Sequence, residues 1–152
     1  HTERMNLYPV ITEIVEQLKL IAEPKNIFVS TEKMEDAFIE GNELLIQMLL
    51  LNLIDNAVKY THPKGTISLS LYKDNGWVNI AILDNGIGIS PEHAKHVFDR
   101  FYRVDKGRSR EQGGSGLGLS IVKHIIEAHH QTIHLRSTPS VGSTFGFTLA
   151  SA

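Results

Sequence analysis

The chain has 152 residues, 41% of them hydrophobic and 21% charged. That is enough for one soluble domain burying about 68–70% of its unfolded surface. Fifteen Lys and Arg against 17 Asp and Glu leave a formal charge of −2, which gives no electrostatic footprint for nucleic acid. With no cysteine there is neither a disulfide framework nor a thiolate metal site. The most apolar stretch, Leu44 to Ile54, is too short to span a membrane and holds Gln47 and Asn52. The chain begins at His1 without a methionine, and we expect it to be a piece of a longer protein.

In chain order, Pro9 to Ala22 carries Val10, Ile14, Leu18 and Ile21 at near-helical spacing, with Pro9 in a first-turn position. Asn26 to Thr31 reads as a strand, and a short one is expected near Ala37 to Glu40. Gly41 to Tyr60 reads as a long helix, ended by His62-Pro63-Lys64-Gly65. Thr66 to Tyr72 alternates, Trp77 to Leu83 is largely β-branched or apolar, and Asp74-Asn75-Gly76 between them predicts an antiparallel hairpin. Two glycine-bearing clusters follow, Asp84 to Ile89 and Gly113 to Gly118, separated by a polar, basic segment. The second opens a helix to about His129, and Gln131 to Ser137 and Thr144 to Leu149 read as two more strands. Helices grouped against a mainly antiparallel sheet give an α+β fold, a two-layer sandwich.

The long helix poses a question of composition. Asn52, Asp55, Asn56 and Lys59 interrupt an apolar run. At 100° per residue all four fall within an arc of roughly 100°, a single polar stripe. Surface stripes favour Glu, Lys and Arg, whereas Asn is a poor helix former because its amide competes for backbone hydrogen bonds. Two Asn at i, i+4 therefore point to a site.

The glycine clusters pose another. Gly114, Gly116 and Gly118 lead into a helix whose free N–H groups could meet an anion. Their GxGxG spacing is not the GxGxxG of dinucleotide folds, and no Walker loop occurs. Asp84 ends an apolar strand, where a carboxylate is costly unless something donates to it. An exocyclic purine amino group would do so, and so would a backbone turn.

Five ordered segments carry a resemblance: NLIDNAVKYT, DNGIGI, VFDRFYR, GGSGLGLSIVK and GSTFGFTL. Together they resemble the asparagine, glycine and phenylalanine boxes of the catalytic ATP-binding domain of sensor histidine kinases. These belong to the superfamily of DNA gyrase, the MutL repair proteins and the large heat-shock chaperone. The resemblance covers essentially the whole chain as one domain, residues 1–152, and implies a Bergerat-type fold with helices on one face of a mixed, mostly antiparallel sheet and a mobile lid over ATP.

Carried over by residue, it implies that Asn56 ligates Mg²⁺ through its side-chain oxygen, with Asn52 beside it near the phosphates. Lys59 and Arg103 would neutralise phosphate oxygens, and with the two Asn they form the expected catalytic set. Tyr60 would line the pocket and Asp84 would accept from the adenine amino group. Gly86 and Gly88 would let the backbone approach the base, and Thr144 would support the adenine end with water. Gly114, Gly116 and Gly118 would offer N–H groups to the phosphates. Ile89, Phe101, Gln112, Ser115, Leu117 and Leu119 complete the implied nucleotide site. The segment from about Ile89 to Gly113, with Arg108, Arg110 and Gln112, would be the lid.

The implied function is to bind Mg-ATP and donate its γ-phosphoryl group to a histidine on a dimerising helical domain, from which a response regulator takes it. A conformational ATPase or a non-catalytic nucleotide-binding module of the same superfamily is the alternative. None of the eight histidines sits in an acceptor motif, so the acceptor domain is expected to lie outside this chain. The resemblance also implies a cytoplasmic domain of a membrane-anchored protein, itself touching neither membrane nor nucleic acid. Asn52 stands where the hydrolysing relatives carry a glutamate base. An amide cannot take the proton of an attacking water, so slow hydrolysis is expected.

Overall fold

A computed structural model describes residues 2–99 and 118–152. The first helix, α1 (Leu7–Ala22), starts two residues earlier than its apolar spacing predicts. Asn6 accounts for this: its side-chain oxygen accepts from Tyr8 N at 3.1 Å, the cap that an Asn supplies to a helix start. The same oxygen accepts from Ala37 N at 3.0 Å, so one side chain caps α1 and ties down a distant loop. Leu7, Val10, Ile11, Ile14, Val15, Leu18 and Ala22 form the buried stripe.

Two short strands, β1 (Glu3–Asn6) and β3 (Phe38–Gly41), pair antiparallel as a separate two-stranded sheet. The second was expected; the first has too few residues to show a period and needs its partner to form. Between them lies β2 (Phe28–Met34). The long helix α2 (Glu43–Tyr60) is capped by Asn42, which accepts from Leu45 N, and its chain turns extended at Thr61. Its buried residues are Ile46, Leu49, Leu50, Leu53, Ile54 and Ala57, while Asn52, Asp55, Asn56 and Lys59 all remain solvent-accessible. The polar stripe is real.

Strands β4 (Thr66–Asp74) and β5 (Trp77–Asp84) form the expected hairpin, with Asp74 opposite Trp77. Asn75 (φ 50°) and Gly76 (φ 82°) are both left-handed, which matches the twist of the flanking strands. A short helix α3 (Pro91–Ala94) follows, then α4 (Gly118–Ala128), β6 (Ile133–Thr138) and β7 (Gly142–Ala150). The main sheet has the order β2-β4-β5-β7-β6, antiparallel throughout except for the parallel pair β2-β4.

Ile67, Leu69, Leu71, Ile80, Ile82, Phe145 and Phe147 point to one sheet face and are buried with the apolar faces of α1, α2 and α4. The fold is thus the expected α+β sandwich with a mixed, mostly antiparallel sheet.

Candidate functional site

The site lies where the end of α2, the start of α4 and the ends of β5 and β6 meet the beginning of β7. Asp84 is the last residue of β5 and points to the core side, only 7% exposed. Its Oδ1 accepts from Gly86 N at 2.9 Å and from Ser143 N at 3.3 Å. Burial pushes its carboxyl above the ordinary value, and these two amide donors hold it back. Oδ2 receives no hydrogen bond from the described residues. That oxygen is left free to accept, and a ligand amino group would satisfy it.

Asn85 has a different task from its neighbour. It brackets Thr66 with two hydrogen bonds, Thr66 N to Asn85 Oδ1 at 2.8 Å and Asn85 N to Thr66 O at 3.2 Å, and so closes the β4-β5 ladder. The glycines after it are fixed by contact. A Cβ on Gly86 would fall on the Tyr60 carbonyl oxygen, and one on Gly88, itself at φ 70°, on that of Thr138. Ile87 N donates to Tyr60 O at 3.0 Å, and Ile87 O accepts from Ser140 N at 2.7 Å. The turn is therefore clamped between the end of α2 and the β6-β7 turn.

Ser137 adds a clamp that the sequence reading missed. Its Oγ accepts from Ile89 N at 2.6 Å and donates to Gly142 O at 3.0 Å. With its one proton so used, the 2.7 Å contact between Ser137 Oγ and Ser143 Oγ must have Ser143 as donor.

Thr144 does not join Asp84, and this corrects the expectation. In the β5-β7 ladder Asp84 faces Ser143, whereas Thr144 faces Leu83. Opposed residues share a face, so Thr144 lies on the sheet face away from the helices, with Tyr72, Asn79, Arg136 and Thr148 around a shallow groove. Ser143 takes the place beside Asp84. The signal was present in the sequence: counting back by two from Phe147 and Phe145, both core residues, lands on 143.

On α2, Asn52 donates through Nδ2 to Met48 O at 2.8 Å, which fixes the amide. Its Oδ1 is left facing the first residue of α4, where a Cβ on Gly118 would stand 3.2 Å from it. Asn52 and Gly118 are thus brought together from 66 positions apart in the chain. Asn56 makes no side-chain hydrogen bond with a described residue and keeps its oxygen available. Lys59 pairs with Asp55 Oδ2 at 3.0 Å, the side chains 25% and 59% exposed. Asp55 is therefore a solvated partner of Lys59, a poor setting for a general base. Tyr60 contributes its carbonyl to the glycine turn. Leu119 packs against the core from the first turn of α4.

Arg103, Phe101, Gln112, Gly114, Ser115, Gly116 and Leu117 lie outside the described residues, as do residues 100–113 of the expected lid. The described part of that expected lid segment holds Ser90, whose Oγ accepts from His93 N at 3.4 Å to cap α3, and Phe98, edge-on to Phe145 at 6.0 Å. Among the described residues no cluster of three or more His, Cys, Asp or Glu could hold a metal ion. A neutral Asn oxygen beside a polyanion nevertheless suits Mg²⁺, which takes few protein ligands and keeps several waters.

Comparison with known proteins agrees with this geometry. Residues 41–152 match the family described as histidine kinase-, DNA gyrase B- and HSP90-like ATPase. The chain is 42% identical over 137 residues to the sensor-like histidine kinase SenX3 of Mycolicibacterium smegmatis, covering 90% of this chain and 35% of that protein. It is 34% identical over 136 residues to the phosphate regulon sensor protein PhoR of Pseudomonas aeruginosa, covering 90% and 31%. The chain thus spans about a third of the length of the curated relatives it matches. Among solved structures, the mycobacterial sensor histidine kinase MprB superposes with a TM-score of 0.85 at 26% identity, over 99% of this chain and 98% of that one. The catalytic domain of histidine kinase ThkA does so with the same score and identity, over 99% and 97%. The chain belongs to the histidine kinase-, DNA gyrase B- and HSP90-like ATPase family, as a catalytic ATP-binding domain of the sensor histidine kinase type.

Proposed function

We propose that this domain binds Mg-ATP and supplies its γ-phosphoryl group to a histidine on a dimerisation domain outside the chain, from which a response regulator takes it. The observation that carries the reading is Asp84: a buried carboxylate with one oxygen saturated by backbone amides and the other open, in a wall of glycine backbone. Such an oxygen accepts from the amino group of adenine, and Ser143 replaces Thr144 as the neighbour that supports it. Glycines at 86 and 88 let the turn pack directly on the Tyr60 and Thr138 carbonyls, which fixes the backbone beside Asp84 where the base would lie.

Further along α2, Asn52, Asn56 and Lys59 would serve the triphosphate. Bound Mg²⁺ would neutralise charge on the phosphates. Asn56 would offer it a neutral oxygen, and Lys59 would offset negative charge as the phosphoryl group leaves. In the transfer the bond from the γ-phosphorus to its bridging oxygen breaks, a phosphorus–nitrogen bond forms on the imidazole, and ADP departs. Asn52, with its amide held by Met48 O, has no basic group for water. Arg103 and the glycines at 114 and 116 are assigned to the phosphates on the resemblance alone. We place the domain on the cytoplasmic side of a membrane-anchored sensor. Among the described residues no helix is long and apolar enough to cross a membrane.

The test is titration with a fluorescent ATP analogue with and without Mg²⁺, then incubation with γ-labelled ATP. Mg²⁺-dependent binding without stable label on the chain is expected, and label should appear on an added acceptor hairpin. Steady hydrolysis at the rate of a dedicated ATPase, abolished by changing Asp55, would instead favour a conformational ATPase. Nucleotide binding with no transfer to any acceptor would favour a regulatory module.

A further inference from the structure

Lys25 plays no part in the site described above, yet its ammonium group reaches the end of α2. It ends a single 3-10 turn, Glu23–Lys25, and the next residue, Asn26, is left-handed at φ 54°. From there Lys25 Nζ donates to Val58 O at 2.7 Å, Lys59 O at 3.2 Å and Thr61 O at 3.0 Å. An ammonium has three donors, and all three are used on backbone carbonyls at the helix end, of which Val58 O also accepts from Thr61 N at 3.4 Å. A cation there also complements the negative end of the helix dipole. Its own carbonyl accepts from Lys64 N at 2.8 Å, so the turn after α2 is held from both sides.

The carbonyl that Lys25 skips is Tyr60 O, the one that accepts from Ile87 N and against which Gly86 is packed. The carbonyls at the end of α2 and just beyond are thus divided: those of Val58, Lys59 and the following Thr61 meet Lys25, and that of Tyr60 goes to the glycine turn that follows Asp84.

We propose that Lys25 is a positioning residue for the nucleotide site. By fixing the α2 terminus it aims the Tyr60 carbonyl at the glycine turn and holds Lys59 at the phosphate side. This rests on the reading of the site as a nucleotide site. Lys25 acts through backbone it holds and touches no substrate itself.

The test compares Lys25→Met, Lys25→Arg and Leu149→Ala, the last a core truncation at the far end of β7. Each is titrated with a fluorescent ATP analogue and Mg²⁺ at a temperature where circular dichroism shows it folded, and amide exchange is followed at residues 58–62 and 86–88. Lys25→Met should bind about tenfold more weakly, with faster exchange at Ile87, because the helix end loses its cap and its charge partner. Lys25→Arg should recover most of the affinity, and Leu149→Ala should bind within about twofold of the wild type despite a lower Tm, since it lies away from the site. If Lys25→Met does not fold, Lys25→Gln, which keeps two donors without charge, takes its place. Wild-type affinity in the Met variant, or an equal loss in Leu149→Ala at matched Tm, would overturn this proposal alone. A wild-type chain that binds no analogue would overturn the nucleotide reading and this proposal with it.

Discussion

The two ends of the site are built on opposite principles. The end around Asp84 is made of backbone: glycine carbons pressed on carbonyl oxygens, amides on a carboxylate, and a turn clamped from two sides. The end along α2 is made of side chains on a solvent-accessible stripe, whose bonds are local to the helix. Stability and recognition are therefore fused at the first end and separable at the second. Substitutions should reveal this as different mixtures of lost Tm and lost affinity.

The largest effect should come from Gly86→Ala. A methyl group there meets the Tyr60 carbonyl, and neither backbone can move without breaking the clamp. Overpacking against backbone should cost about 3 kcal/mol, a fall in Tm of about 10 °C, together with nucleotide binding. A variant that melts like the wild type would show that the turn can shift and would weaken the contrast. Asn56→Ala is the counterpart: stability should change by no more than about 0.5 kcal/mol while Mg²⁺ no longer enhances binding, read by melting and titration.

Asp84→Asn sharpens the comparison from within the backbone end. The Asn oxygen can keep both amide bonds, but its Nδ2 would confront the adenine amino group, donor against donor. ATP affinity should fall about 30-fold, roughly 2 kcal/mol. Guanine, with a carbonyl at that position, should bind poorly to the native site; equal affinity for ATP and GTP would refute the assignment.

Stability should move the other way. The folded chain holds the Asp84 proton more tightly than the unfolded chain, because burial raises this carboxyl above its usual 3.8. Folding stability at this residue therefore falls as pH rises from that value through the raised one, and Asp84→Asn should remove that slope. ATP affinity has the opposite sign, weakening as acid protonates the acceptor. Chemical denaturation and titration across the acid range check both.

The smallest effect belongs to Asp55→Asn. The Asp55–Lys59 pair is too exposed to contribute more than about 0.3 kcal/mol once solvent screening is allowed for. Melting should barely change, and nucleotide turnover should not depend on this carboxylate.

Much of the fold could be read from local pattern. The helices, the hairpin turn at Asn75-Gly76 and the alternation of β4 follow from periods of 3.6 and 2 that covalent geometry imposes on any chain. So does the α2 stripe, since spacing along a helix converts directly into angle. The open character of Asp84 was also foreseeable, as a carboxylate ending an apolar strand requires a donor.

What remained was decided across space. β1 has four residues and exists because β3 pairs with it. The choice of Ser143 over Thr144 turns on strand register, where a step of one residue reverses the face. Lys25 illustrates the limit best. In the sequence it is one lysine after a proline, and its nearest partner, Val58 O, lies 33 residues away. Side-chain reach between distant segments has no period to betray it, because it depends on where the packed core places two chain ends, and only the tertiary structure sets that.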